Sequence, residues 1–509
     1  MVVLVPELRR LREFAVGPIA ALAAAKLALH LWVNAVSPYG FHRDEFLYLA
    51  MGRHLRLWSM DFPPGIALLA EAGRATLGDS LVAIRLAPAL AGALLVVAAA
   101  LFARELGGGG RAQVLAALAV LASPLFLRSA NLFQPVVFDQ VTWSAALLAL
   151  TRLSWRPDPR WWIALGLALG LGVLVKFSIA FVGLGIAAAI LLTPLRRSLL
   201  TPWPWSALAL ALAVGSPSLV GQWTLGFPVV GQMADLREGQ LERVTAAAFF
   251  AGQLLWGPTT LLAAGGLAAL LAAGRFRRYR ALGWACAATL LVLLLLRGKA
   301  YYAGPIYPAL FGAGAVPLER TRLRWAVAAA VLAFGGAVLP LGVPILPPER
   351  MAAYVEAIGA TAALRTNTGE LERLPQDYAD MLGWEEQVGA VARVYHGLPE
   401  ADRTRAVLLA GNYGEAGAID FFGPRHGLPR AVSPAGSYWF FGPGEKPGDV
   451  VVTIGIARED LRPFFDSLQA ATRVTSEWAV AEERDLTVFV AREPRGTLQE
   501  VWPTLAGRN

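Results

Sequence analysis

Apolar runs of about 20 residues recur along the first two thirds of the chain, parted by short polar stretches rich in arginine and glycine. A run of that length crosses the hydrocarbon core of a bilayer as a helix. A helix also satisfies its backbone polar groups within the segment, which lipid cannot do for it. The pattern predicts eleven spans, at about 14–36, 81–103, 112–128, 134–151, 161–175, 178–194, 204–220, 246–272, 281–297, 304–318 and 325–342. Residues 161–194 would also read as one long helix; the charges decide for a hinge at Lys176. With that hinge, one side of the membrane receives Arg9, Arg10 and Arg12, then Arg104 and Arg111, then Arg152, Arg156 and Arg160. The same side receives Arg196 and Arg197, then Arg275, Arg277, Arg278 and Arg280, then Arg320, Arg322 and Arg324. Arginine excess marks the cytoplasmic side. Without the hinge every later loop would change sides.

The opposite face receives the loop Tyr39–Asp79, which holds Asp44, Glu45, Asp61, Arg43, Arg53, Arg56, His42 and His54. Within it, Glu45 to Trp58 places Phe46, Leu49, Leu55 and Leu57 at helical spacing. That predicts a helix along the interface, ended by Pro63 and Pro64. After Gly342 the composition changes: Pro344, Pro347 and Pro348 form a linker, and residues 344–509 read as a soluble α/β domain outside the membrane. Strands are expected at Arg405–Ala410, Asp449–Ile454, Thr475–Ala481 and Leu486–Ala491, and helices at Trp384–His396 and Arg458–Leu468. The fold class is thus a polytopic α-helical membrane protein. Residues 1–343 form its membrane domain, with 39–79 as the first outer loop, and a small C-terminal α/β domain follows.

Composition agrees. Of 509 residues 56% are hydrophobic and 16% charged, against ~25% charged in soluble domains. The net charge of +8 would suit nucleic acid, but the arginines sit between apolar runs, as membrane orientation requires. Cys286 is the single cysteine, which excludes an intrachain disulfide and a cysteine-based metal site. The first apolar run is long enough to span and reads as an anchor rather than a cleaved leader.

Asp44 and Glu45 follow the first span, Asp139 stands at the outer end of the fourth, Lys176 at the turn between the fifth and sixth, and Lys299 with Tyr301 and Tyr302 beyond the ninth. All lie at the depth of a lipid phosphate. Ionisable groups beside a bilayer are costly and read as functional. The chain has four lysines, Lys26, Lys176, Lys299 and Lys446, and two fall here, where a compact ammonium suits phosphate. A sugar on a polyprenyl phosphate leaves as a stable anion and needs cations, while an acceptor hydroxyl needs a carboxylate to take its proton. Bland readings stand beside this one. Asp44 and Glu45 could cap the helix that follows, Asp139 could cap the fourth span, and the lysines and tyrosines could anchor the interface. Asn412–Gly417 reads as a ligand loop or as a capped strand-to-helix turn. His54 and Asp61 have metal-ligand chemistry without the ligand count a metal needs.

YGFHRDEFLYLAMGRHL with DFPPGIALLA resembles the first-loop signature of bacterial family 39 glycosyltransferases. These are relatives of the dolichyl-phosphate-mannose protein mannosyltransferases and of the aminoarabinose transferase that modifies lipid A. NLFQPVVFDQVTW, KFSIAF, GKAYYAGPIYPALFGAG and the distal NYGEAGAIDFFG and SYWFFGPG are similar to them too. The resemblance implies a glycosyltransferase C-type fold and a polyprenyl-phosphate-linked sugar donor. It implies Asp44 as catalytic base with Glu45 supporting it or a metal, and Asp139 orienting the acceptor. Lys176, Lys299, Tyr301 and Tyr302 would hold the donor phosphate, with Arg53, His54 and Asp61 as further substrate-binding candidates. Some members use a divalent metal and others none; the residues leave this open. The expectation is inverting sugar transfer to a protein, lipid or cell-envelope glycan on the outer face of a bacterial inner membrane, with membrane lipids and no nucleic acid as partners. The rival is a transporter or flippase of a lipid-linked or anionic substrate, which would place ionisable sites at the midplane and show repeat symmetry. A second rival is a non-catalytic receptor whose outer domain is the working part.

Overall fold

The computed structural model describes residues 12–156 and 158–505; Arg9 and Arg10 lie outside them. The membrane part is built from α1 (Val16–Val36), α2 (Arg43–Arg53), α3 (Gly65–Leu77), α4 (Leu81–Glu105), α5 (Gly110–Ala122), α6 (Pro124–Ser129), α7 (Pro135–Leu153) and α8 (Pro159–Val175). It continues with α9 (Ile179–Leu192), α10 (Pro202–Thr224), α11 (Pro228–Gly239), α12 (Ala246–Leu254), α13 (Pro258–Ala272), α14 (Arg280–Leu295), α15 (Tyr307–Leu318) and α16 (Leu323–Ala337). Helices occupy all eleven expected positions. Among the described residues four are long and apolar enough to span on their own, or six if two sharply bent pairs each count as one span.

The hinge at Lys176 is real: Lys176 is the extended C-terminal cap of α8, and α9 starts at Ile179. The expected span 246–272 is instead α12 and α13, bent by 112°. Gly257 between them has φ +62° and lies against the Phe334 ring, and Pro258 starts α13. A left-handed glycine followed by proline cannot continue a helix. The expected span 112–128 likewise breaks before Pro124 into α5 and α6. Elsewhere small residues let backbones meet. A Cβ on Gly266 of α13 would lie 2.1 Å from the Leu310 carbonyl, and one on Gly314 of α15 2.1 Å from that of Leu262.

Charges group by end. Arg104 donates to the Arg12 carbonyl, Arg152 pairs with Glu105, and the Tyr279 hydroxyl donates to the Glu105 carbonyl. Four segments of the arginine-rich side are therefore joined at one end of the bundle.

Along α1, Lys26, His30 and Asn34 share one face, at i, i+4 and i+8, and all are buried. Lys26 donates to the Phe126 carbonyl at 3.0 Å and His30 Nδ1 lies 3.4 Å from Asn131 Oδ1. Asn34 accepts from Arg85 at 3.3 Å. This stripe holds the connection between α6 and α7, whose next residues reach the acids of the first loop.

That loop departs from expectation. α2 ends at Arg53 with His54 as its cap, short of Trp58, and Pro64 caps α3 rather than merely stopping α2. The apolar face of α2 does not lie on the bilayer. Phe46 packs on Phe421, Phe422 and Trp384 of the distal domain, with ring centroids 5.6–5.8 Å apart. Gly417 lets the Tyr413–Phe422 helix close on Phe46, since a Cβ there would lie 2.6 Å from that side chain.

The distal sheet has the order β2-β1-β3-β5-β4, with β1 (Val407–Ala410), β2 (Ala431–Val432), β3 (Val450–Ile454), β4 (Phe465–Thr475) and β5 (Asp485–Pro494). β1 runs parallel to β2 and β3, while β5 is antiparallel to β3 and β4. Two expectations fail here. Arg458–Leu468 is helical only to Leu461, and the strand lies at 465–475 rather than 475–481. β4 pairs with β5 alone and is largely exposed, so it lacks the apolar run that marks β1 and β3.

Candidate active site

The first turn of α2 builds the centre of the site. His42 is its N-cap and accepts from the Asp44 N–H, while Glu45 accepts from the His42 N–H at 2.8 Å, a reciprocal capping box. Glu45 is fully buried. It also accepts from Arg85 Nε at 2.8 Å and Nη2 at 2.7 Å and from the Phe133 N–H at 2.8 Å. Burial alone would raise its pKa, yet Arg85 and the two N–H donors hold it below the usual value. Both its oxygens are committed, so Glu45 anchors the turn.

Asp44 faces the other way. Its side chain is 29% exposed. One oxygen accepts from the Tyr413 hydroxyl at 3.0 Å and the other from Gln134 Nε2 at 2.9 Å. Among the described residues no guanidinium or ammonium is hydrogen-bonded to it. Burial pushes the Tyr413 phenol well above its usual pKa, so it remains a neutral donor. Arg43 turns from Asp44 toward Asp380 (3.5 Å), Glu482 and Glu483 (3.8 Å) of the distal domain. Asn412 caps the Tyr413–Phe422 helix in a capping box with Glu415. The NYGEAG stretch is thus the capped turn, and it delivers Tyr413. The sequence marked the stretch that holds Tyr413 but gave that residue no role, and Gln134 was not a candidate.

Asp139 is not a cap. The cap of α7 is Gln134, and Asp139 lies in the next turn, accepting from Trp143 Nε1 at 2.8 Å and the Ser178 hydroxyl at 2.7 Å. Lys176 feels the carboxylates of both Asp139 and Asp44, and its ammonium lies 5.7 Å from the centroid of the Tyr302 ring. Tyr302 packs edge-on to Tyr301 with centroids 4.7 Å apart. Lys299 donates to Gln240 at 2.5 Å and to Asn367 at 2.6 Å; burial lowers its pKa to about 8. Arg128, which the sequence had not singled out, pairs with Asp377, and Asp377 also acts on Lys299. Lys176 therefore links Asp44 to a group made of Lys299, Arg128 and both tyrosines.

Three candidates fall elsewhere. Arg53 and His54 end the helix that Asp44 opens, roughly 14 Å along at about 1.5 Å per residue. Arg53 donates to the Asp420 carbonyl at 2.6 Å. His54 stacks on Phe441 at 4.2 Å; burial and the nearby Arg430, Arg56 and Arg53 push its pKa down to about 4. Asp61 is buried, accepting from Ser437 at 2.8 Å and Gln232 at 3.4 Å, and burial raises its pKa. These groups brace the first loop against the distal domain. Among the described residues no three His, Cys, Asp or Glu side chains come together, and Glu45, the acid expected to support the base or a metal, is taken by Arg85. A cavity of about 590 Å3 lies at the carboxyl ends of β1 and β3, lined by Gly411, Gly455 and Phe464, apart from Asp44.

Helices, first loop and distal sheet together define a membrane protein of the glycosyltransferase C fold. Residues 61–220 match the family described as dolichyl-phosphate-mannose-protein mannosyltransferase; the match includes Asp139 and Lys176 and begins after Asp44. The structure is similar to that of ArnT from Cupriavidus metallidurans bound to undecaprenyl phosphate, with TM-score 0.63, 17% identity, and 93% of this chain and 98% of that one covered. The apo form of the same protein gives 0.62 at 18% identity, covering 98% and 100%. Archaeal oligosaccharyltransferase AglB from Archaeoglobus fulgidus, in complex with an inhibitory peptide and a dolichol-phosphate, gives 0.50 at 12% identity, covering 87% and 70%. Among curated proteins none matches significantly.

Proposed function

We propose that the protein is a glycosyltransferase that moves a sugar from a polyprenyl phosphate to an acceptor on the extracytoplasmic face of a bacterial inner membrane. The observation that carries this is Asp44: an accessible carboxylate with neutral donors on both oxygens, with Lys176 nearby and acting in turn on Lys299. As the acceptor nucleophile attacks the anomeric carbon, Asp44 takes its proton. The bond from that carbon to the phosphate oxygen breaks, and polyprenyl phosphate leaves with the electron pair. Lys176 and Lys299 stabilise the departing phosphate. Attack opposite the leaving phosphate inverts the anomeric centre. Glu45 fixes the turn that carries Asp44. Asp139, with both oxygens engaged by Trp143 and Ser178, holds the Lys176 turn rather than the acceptor.

The relatives in this fold that bind undecaprenyl phosphate or dolichol-phosphate support a polyprenyl-phosphate partner. A transporter would need midplane charges open to a path. Lys26 and His30 of α1 are fully buried, bonded to α6 and to the connection that follows it, and they offer no such path. The test is incubation of the purified protein with synthetic polyprenyl-phosphate sugars and a cell-envelope acceptor fraction. Released polyprenyl phosphate with an inverted product bears the proposal out; bound donor that is never cleaved favours the transporter.

A further inference from the structure

Five arginines gather around the far end of α2, away from Asp44 and with no part in the chemistry above. Arg53 ends α2 and Arg56 lies in the turn just beyond it, Arg74 lies in the last turn of α3, and Arg425 and Arg430 belong to the connection between the Tyr413–Phe422 helix and β2. They act on common neighbours. His54 feels Arg430, Arg56 and Arg53, Arg53 feels Arg74 and Arg430, and Asp79 feels Arg74, Arg53 and Arg425.

Of the nearby acids, one neutralises an arginine of the cluster, through the Arg74–Asp79 ion pair. Asp79 is held by Arg74 at 2.6 and 3.3 Å. Asp420 is buried and spends its oxygens on the Ala431 N–H and the Tyr438 hydroxyl, both at 2.9 Å. Glu71 is exposed on α3 and is the remaining acid of that helix. Arg56 and Arg430 are exposed, and neither side chain has a hydrogen bond or ion pair among the described residues. Arg425 only overlies the Phe422 ring, at 5.6 Å.

Beside this cluster the surface is apolar. α3 buries Ile66, Ala67 and Ala70 and exposes Leu68, Leu69 and Leu77, while Trp58 is half exposed. An amphipathic helix with leucines outward lies in a bilayer interface with those leucines in the acyl region. The arginines then stand at headgroup depth. Arginine retained on the outer side also runs against the orientation bias that keeps it in the cytoplasm, so a ligand there offsets a cost. A guanidinium presents paired N–H donors matched to phosphate and carboxylate.

We infer that the Arg53–Arg56–Arg74–Arg425–Arg430 rim is a docking surface for the anionic headgroups of membrane lipids, distinct from the donor-phosphate cations at Lys176 and Lys299. It needs the outward orientation of the first loop but not the sugar transfer itself. Lipid rather than free phosphate is the occupant because the exposed leucines adjoin the charges and would hold the acyl chains.

The test uses the full-length protein in detergent, titrated with short-chain phosphatidylglycerol and, separately, phosphatidylcholine. The surface predicts tighter binding of the glycerol lipid, weakening as salt rises. Arg56→Gln combined with Arg430→Gln should weaken it by about five-fold per arginine removed, while Arg56→Lys with Arg430→Lys retains most of it. Equal binding of both lipids, or full binding by the glutamine pair, would overturn the inference. Displacement of the lipid by millimolar inorganic phosphate alone would also overturn it, since the site would then recognise phosphate without its lipid.

Discussion

The Tyr413 hydroxyl donates to Asp44 Oδ1 at 3.0 Å across 369 positions of sequence. One partner opens the first loop and the other opens a helix of the distal domain. The carboxylate proposed as base is therefore finished by a residue from the far part of the chain. The distal domain packs on α2 through Phe46, Phe421 and Phe422, and so it belongs to the site rather than hanging from it. In Tyr413→Phe the ring keeps its packing and Asp44 loses one of two donors. A hydrogen bond to a charged group is worth about 1.5–3 kcal/mol, so kcat should fall about 10- to 100-fold with folding unchanged. Steady-state kinetics beside thermal unfolding of the same preparation checks this.

Glu45 and Asp44 are neighbours with opposite fates. Glu45→Gln would leave Arg85, fully buried, without its counter-charge. Removing one member of a buried pair costs about 3–5 kcal/mol. The variant should show a lowered thermal midpoint and poor yield, whereas Asp44→Asn, at a partly exposed position, should unfold like the wild type.

Lys299 predicts a pH dependence of donor binding. Its pKa lies near 8 because burial disfavours the charged form. The ammonium is present below that pH and lost above it. KM for the lipid-linked donor should therefore rise as pH passes through about 8 to 9. Lys299→Arg keeps its charge and should flatten that rise, and Lys299→Met should raise KM below about pH 8 and approach the wild type above it. A pH series of initial rates at varied donor concentration decides.

Much of this was legible in the chain because it is local. Apolar runs mark where the helices lie, arginine asymmetry calls for the hinge at Lys176, and the acid pair after the first apolar run marks the first loop. What could not be read is contact between distant segments. Read from the residues alone, Asp44 and Glu45 are one acidic pair, and the resemblance assigned Asp44 the base and Glu45 its support; the approach of Arg85 and Phe133 on one side, and Tyr413 and Gln134 on the other, gives each its surroundings. The apolar side of α2 was assigned to the bilayer because Phe46 and Leu49 cannot announce that a distal helix covers them. Arg53 and His54 share the loop with Asp44, yet helical rise carries them away from it. The bend at Gly257 and Pro258 had a local signal, a glycine before a proline, which the continuity of apolar residues outweighed.

The central claim is that Asp44 is the base. Wild type and Asp44→Asn should be purified and given the same synthetic polyprenyl-phosphate sugars and acceptor, with release of polyprenyl phosphate followed in time. Proton acceptance by a placed group contributes about 10²–10⁴-fold, so the variant should release polyprenyl phosphate slower by that factor while binding the donor and unfolding as the wild type does. Equal release by the two proteins would contradict the account and move the base away from Asp44.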